Sequence, residues 1–546
     1  VPNTAPNRRP PTALACLVAS AACALGVAAH AAEGPAAVDA ATAPPDAAAS
    51  GGEPFDILEI RVLGSAVLPA RDVEAAIYPH LGPGRTMADV EAARDALVAL
   101  YRERGYGTVL VDIPEQTVEG GLVRLQAIEG RLGAVRISGT RYYSNRAIRT
   151  ALGDIQPGTT PRLPDLQERL TALARQSPDR QIVPILKSGA EPGTFDLELR
   201  VADRLPVHGS VEVNDRYTAD TSELRANVQL SYDNLFQRGH SLALQYQASP
   251  QEPSEVQVYG ATYVARSVES PNAWVFYGVK SDSDVTALGT LGVLGRGYVL
   301  GTRYVVPFAV TRERQASLAL GFDYKDFVED VALEGTAEPA STPISYVVFN
   351  AVYSDAFAAG AWRGTGNLGL ALGPRGLGNT AEEFAFKRFQ GRPNFVALRG
   401  GGTLDWSPSA WFARTRLSFQ YAPQPLVSNE QFSVGGVDSV RGYLEAEWLA
   451  DLGVAGSLEA GRLLWVEPDT GRGLSAFAFA DGGTGSIENP LPSQTRRVDL
   501  YSVGAGLRLT RPAWLDARLD WAKALAEGPR TPDGDSRLHF SLRVAF

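Results

Sequence analysis

Arg537-Leu-His-Phe-Ser-Leu-Arg-Val-Ala-Phe546 is the stretch on which the fold turns. Successive side chains of an extended strand point to opposite faces. Leu538, Phe540, Leu542, Val544 and Phe546 therefore share one face, and Arg537, His539, Ser541, Arg543 and Ala545 share the other. Large apolar groups on one side and cations on the other suit a strand set between lipid and a wet lumen. A soluble sandwich also buries an apolar face, so alternation alone leaves both architectures open.

Recurrence narrows the choice. From Val207 onward helical periodicity vanishes and strand-like segments follow one another to the last residue. They include 241–246, 256–260, 274–280, 298–306, 317–324, 345–353, 367–372, 396–406, 412–421, 455–466, 475–481, 499–509 and 515–521. The total is about sixteen, inside the range of single-chain outer-membrane barrels. Glycine is abundant at 55 residues, and tyrosine and phenylalanine are numerous, a mix that suits strands and turns. No run of about eighteen apolar residues follows the first thirty, so a membrane role must use a closed barrel.

The beginning of the chain supports export. Residues 1–32 carry Arg8-Arg9, an apolar stretch over 13–29 and Ala29-His30-Ala31. That is the order of a secretory signal peptide. Ser20-Ala21-Ala22-Cys23 is a poorer match to a lipoprotein signal, because the usual leucine is missing. Cys16 and Cys23 are the only cysteines, so a chain cleaved after this segment has no disulfide and no thiolate metal site. The formal charge of -10 argues against nucleic acid as a partner bound through net charge.

Between leader and barrel the pattern is different. Residues 33–53 are rich in Ala, Pro and Gly and read as a flexible linker. Residues 54–130 and 131–205 each read as β-α-α-β-β, a small α+β domain of about seventy-five residues. In the first, 55–63 is a strand and 70–78 a short helix. Thr86 with Asp89 makes a capping box for a second helix, with Val90, Ala93, Leu97 and Leu100 on one face. Strands over 108–113 and 122–128 close the unit. The second repeats the order, with a strand at 134–137, helices at 146–152 (after Ser144 as N-cap) and 163–175, and strands at 182–186 and 195–201.

Apparent catalytic motifs do not hold up in context. Gly239-His-Ser-Leu-Ala243 has the look of a nucleophile elbow, but an alternating strand follows where a helix belongs. Gly364-Thr-Gly-Asn-Leu-Gly369 matches a dinucleotide fingerprint and leads into strand, so the helix N-terminus that would hold a pyrophosphate is missing. The five histidines form no H-x-x-x-H pair. The chain reads as a non-enzyme without metal or cofactor.

One loop carries the most specific signal. Phe432-Ser-Val-Gly-Gly-Val-Asp-Ser-Val-Arg-Gly-Tyr443 lies between two strand patterns. Gly435-Gly436 followed by Val440-Arg441-Gly442-Tyr443 resembles the sixth-loop signature of the outer-membrane assembly and secretion superfamily. The resemblance implies that this loop folds back into the barrel and that Arg441 pairs with an aspartate on the wall. Phe479-Ala-Asp481 is the candidate socket, with Phe479 and Asp481 on one strand face. Asp233-Asn-Leu-Phe236 with Gly239 resembles the turn after the second barrel strand. The two N-terminal units resemble POTRA domains through Gly105-Tyr106, Pro114-Glu-Gln116 and Glu129-Gly130.

Two such units before a barrel resemble the transporters of two-partner secretion, the TpsB family of haemolysin secretion/activation proteins (ShlB, FhaC, HecB). Residues 33–53 differ from the usual plug helix of that family, being short and rich in Ala and Pro. The resemblance implies an outer-membrane location with the POTRA units in the periplasm, and a secreted TpsA-like exoprotein as partner. It also implies membrane lipid around the barrel, and barrel assembly machinery that reads Phe540, Leu542, Val544 and Phe546. A membrane-protein assembly factor of the same superfamily and a passive porin-like channel stay open as alternatives.

Overall fold

The computed structural model describes residues 54–546 apart from 154, 176, 220, 268–269, 284–285, 289–290, 294–295, 312, 332–339, 468–471 and 512–513. The signal-peptide and linker readings lie outside the described residues. The described chain forms two compact units, one ending at Pro206 and the other beginning at Val207.

The first unit contains two modules of the same topology. In each, the first long strand runs parallel to the last, which is central, and a third strand pairs antiparallel on its other side. The first module uses Glu59–Leu63, Leu122–Ile128 and Leu110–Asp112. The second uses Arg131–Ser138, Thr194–Asp203 and Arg180–Ser188. The capping box forms, with Thr86 N donating to Asp89 Oδ2 at 2.8 Å, and the helix runs Met87–Glu103. Its buried face is Val90, Ala93, Leu97 and Tyr101, so the stripe ends on Tyr101 rather than Leu100. The Tyr101 hydroxyl reaches Ser65 Oγ at 2.8 Å and Glu129 Oε1 at 3.1 Å. Burial, reinforced by the Glu129 charge, pushes that phenol up to about 12. Glu129 also accepts from the backbone N–H groups of Ala66 and Val67. The 55–63 strand is split into Phe55–Ile57 and Glu59–Leu63, because Leu58 N and Glu59 N both donate to Gly121 O. Gly82–Arg85, not anticipated as a strand, pairs with the first piece.

The second unit is a closed antiparallel barrel of sixteen strands. Outward positions are large and apolar on every side, including Phe276, Leu320, Leu370, Leu417, Leu458, Leu507 and Leu542. Such a continuous apolar exterior is what a lipid solvent covers. Among the described residues no helix is long and apolar enough to cross a membrane. The turns at one end are short (236–239, 360–361, 407–410), while the other end carries long connections such as 374–394 and 525–535. Short turns mark the periplasmic end of such barrels. Two local readings are corrected. Asp233 and Asn234 belong to the second strand, Arg225–Leu235, and the turn is made by residues 236–239, with Phe236 and Gln237 at positive φ. Among the described barrel residues α-helix returns at Ala381–Lys387, where Phe384 is buried against Tyr346 and Phe395. Its seven residues are too few to register as periodicity.

The closing joint is the shortest in the wall. Ser536–Ala545 pairs with Val207–Asn214 over five positions, from Ser541↔Asn214 to Ala545↔Ser210. By contrast, Arg314–Val331 pairs with Ala340–Ala359 along its whole length. Gly209 and Phe546 exchange two further backbone bonds at 3.0 and 2.9 Å. The Phe546 ring lies over Gly209, where a Cβ would come within 2.3 Å of it.

Candidate functional site in the barrel lumen

On Gly473–Ser486 the alternate residues Phe477, Phe479, Asp481 and Gly483 are buried on the inner face. The loop 422–451 packs against that face. Val434 and Val440 cover Gly483, at which a Cβ would meet their methyl groups within 3 Å. Gly435 and Gly436 have φ of 104 and 101°, a region that favours glycine, and let the loop reverse with Gly436 N donating to Val440 O.

The turn drives Arg441 into the wall, where it is fully buried. Nε donates to Asp481 Oδ2 at 2.7 Å and Nη2 to Asp481 Oδ1 at 2.7 Å. Nη2 also reaches Ser457 Oγ at 2.9 Å. Nη1 donates to Glu459 Oε1 at 2.8 Å and Asp520 Oδ2 at 3.3 Å. All five guanidinium hydrogens thus have acceptors, which is the condition for burying this side chain. Its Cζ lies 3.4 Å from the centroid of the Phe479 ring. Arg518 bridges Glu459 and Asp520, and Arg508 approaches Glu459 at 3.6 Å. The socket is therefore a network of three cations and three carboxylates.

The flanking residues are anchored as well. Gly442 N donates to His539 Nε2 at 3.0 Å, and His539 Nδ1 is 2.9 Å from Asp215 Oδ2. The Tyr443 hydroxyl lies 3.0 Å from Tyr501 O and 2.8 Å from Ala526 O. Glu447 accepts from Arg530 N and Thr531 N at 2.7 and 2.8 Å. Asp438 pairs with Arg216 at 2.6 Å and Arg416 at 3.3 Å. Asp215 also accepts from Phe540 N at 2.8 Å, and the loop touches the last strand at His539 and the segment just past the first at Arg216.

A second socket holds the start of the loop. Glu430 is buried and receives Lys325 Nζ at 2.5 Å, the Tyr346 hydroxyl at 2.8 Å and Arg399 Nη2 at 2.8 Å. Asp451, also buried, closes the far end by accepting from Leu426 N, Gln431 Nε2 and Glu488 N.

The structure brings Arg441, Phe479 and Asp481 together. It places Leu542, Val544 and Phe546 on the exposed outer face, and Phe540 half-buried beside them. Sequence reasoning missed Glu430, Glu459, Asp520, Ser457 and His539. Glu459 and Asp520 had a usable signal, an acid on the lumen parity of a segment already read as strand. The two discarded motifs lie in strands, His240–Ala248 and Trp362–Gly373.

Comparison with known proteins fits this geometry. Residues 55–130 match the family model of the ShlB-type POTRA domain, and residues 304–509 that of the haemolysin secretion/activation protein ShlB/FhaC/HecB. The outer membrane transporter CdiB of Dickeya dadantii is 25% identical over 487 residues, covering 85% of this chain and 82% of its own. The solved structure of CdiB from Escherichia coli shares the fold, with a TM-score of 0.59 at 19% identity over 92% of this chain and 93% of that one. BamA from Haemophilus ducreyi lacking POTRA domains 1–3 shares it at a TM-score of 0.54 and 13% identity, over 90% of this chain and 100% of that one. With a ShlB-type POTRA match, a sixteen-strand barrel and a secretion/activation match within that barrel, the chain is similar in sequence and fold to the outer-membrane transporters of the ShlB/FhaC/HecB type.

Proposed function

We propose that this transporter carries one unfolded, β-rich exoprotein from the periplasm through the barrel to the cell surface. The observation that carries the reading is the loop 422–451. It lies against the inner wall and is held largely by charged and polar contacts at Arg441, Glu430, Asp438 and Glu447. Such a plug can leave the wall without taking barrel strands with it. No nucleotide chemistry is invoked; folding of the client outside would bias its passage.

We assign residues 54–130 and 131–205 as two client-receiving POTRA units. Support comes from the edge strand Arg180–Ser188, which leaves Val183 and Leu186 exposed beside an unpaired backbone edge. An extended client segment can add to such an edge. Phe540, Leu542, Val544 and Phe546 would be read by the assembly machinery when the barrel inserts.

The test is deletion of the gene. Export predicts that one large secreted protein, sought first among the products of neighbouring genes, accumulates in the periplasm while other outer-membrane proteins keep their normal levels. General loss of those proteins would instead favour an assembly factor. Normal secretion of that protein with altered uptake of small solutes would favour a porin.

A further inference from the structure

The outer wall carries a feature that transport does not use. Four outward residues lie side by side in register near the long-loop end: Tyr246↔Tyr259, Tyr259↔Lys280 and Lys280↔Tyr298. Tyrosines at this height form the interfacial belt of a membrane barrel. Lys280 is exposed, and beyond it the row continues to Asp326, which accepts from the Tyr298 hydroxyl at 3.2 Å and, among the described residues, leaves the lysine ammonium itself free to meet an anion. One step toward the membrane centre the outward row reads Leu244↔Ala261, Ala261↔Gly278 and Gly278↔Leu300. Two small residues between two leucines leave a notch directly beneath the lysine. The groove encloses about 570 Å³. Below it the row is large again, with Tyr263 stacked on Phe276 at 6.5 Å.

We propose that this face binds one phosphate-bearing lipid of the outer leaflet, of the lipid A class. The phosphate meets Lys280 between the Tyr259 and Tyr298 rings, and one acyl chain fills the Ala261–Gly278 notch. Lys280 reaches up to the headgroup while its methylene stem lines the groove, the usual posture of lysine at a membrane boundary. A second outward lysine supplies an internal control. Lys523 lies between Val503 and Ser536, but beneath it Trp521 and Leu538 fill the row. It has the charge and lacks the notch.

The experiment uses the full chain extracted from outer membranes in mild detergent, with native mass spectrometry of retained lipid. Lipid A, its dephosphorylated form and phosphatidylglycerol are then added back as probes. The wild type should retain one lipid A per barrel in preference to the other two. Lys280→Gln should lower retention about tenfold, as loss of a charge-assisted contact does. Gly278→Leu, which fills the notch, should abolish retention in a barrel that still shows heat-modifiable mobility, and Lys523→Gln should change nothing. Equal loss in Lys280→Gln and Lys523→Gln would overturn the proposal. So would equal retention of phosphatidylglycerol, or a second copy of the chain in place of lipid.

Discussion

The lumen loop is fixed by two sockets of opposite polarity. At Arg441 the loop supplies the cation and the wall the acids, from strands twelve, thirteen and fifteen of the ring. At Glu430 the loop supplies the acid and the wall the bases and a phenol, from strands seven, eight and ten. They also differ in enclosure. The carboxylates around Arg441 are at most 3% exposed, whereas Arg399 beside Glu430 is 35% exposed. The lesson is that charge pairing alone does not rank two anchors. What ranks them is what remains in a dry site when one partner is removed.

The largest effect should follow Arg441→Ala. Three carboxylates then face only Arg508 and Arg518, and breaking a buried pair in this way costs about 3–5 kcal/mol. Secreted exoprotein, measured at matched barrel levels, should fall at least tenfold. Asp481→Asn should fall less, because Glu459 and Asp520 still hold the guanidinium. An Asp481→Asn loss equal to that of Arg441→Ala would reduce the network to a single pair.

Glu430→Gln should come next. The amide keeps the shape, Lys325 and Arg399 lose their counter-charge, and the partial exposure of Arg399 lets water compensate. The expected penalty is about 1–3 kcal/mol. In planar bilayers this variant should open more often than wild type and less often than Arg441→Ala. The reverse order would break the enclosure argument.

Asp438→Asn should do least. Its side chain is 58% exposed and its partners are reachable by solvent. Pairs of this kind contribute roughly 0–1 kcal/mol. Secretion within twofold of wild type, insensitive to added salt, is the expected result. A loss as large as that of Glu430→Gln would mean that the tip of the loop works by a contact other than surface charge.

Much of this molecule could be read from residue order. Strand alternation after Val207 reports two environments, lipid and lumen, that differ at every second residue, so the barrel was legible. The contact between Arg441 and Asp481 joins two readable features, a glycine-flanked arginine and an acid on a lumen parity. Glu430 was not legible. Its neighbours Asn429 and Gln431 are polar, nothing local distinguishes it from a solvated loop acid, and its burial exists only after Lys325, Tyr346 and Arg399 converge from distant strands. Tyr101 escaped for a milder reason. An aromatic with a hydroxyl looks like the rim of a helix face until Ser65 and Glu129 give that hydroxyl partners. Helix Ala381–Lys387 is set by a tertiary contact, the burial of Phe384, rather than by its own short pattern.

The five-position joint between the first and last strands gives the ring uneven stiffness. Where Arg314–Val331 meets its neighbour, a long ladder resists shear. At the joint few rungs resist, and lateral load concentrates there. The lumen loop reaches across this compliant arc, since Gly442 engages His539 on the last strand and Asp438 engages Arg216 just past the first. In the export reading proposed above, a thick cargo that lifts the loop would also remove a brace from the part of the hoop most able to stretch. The bore of the barrel is then an elastic quantity set in part by its own plug.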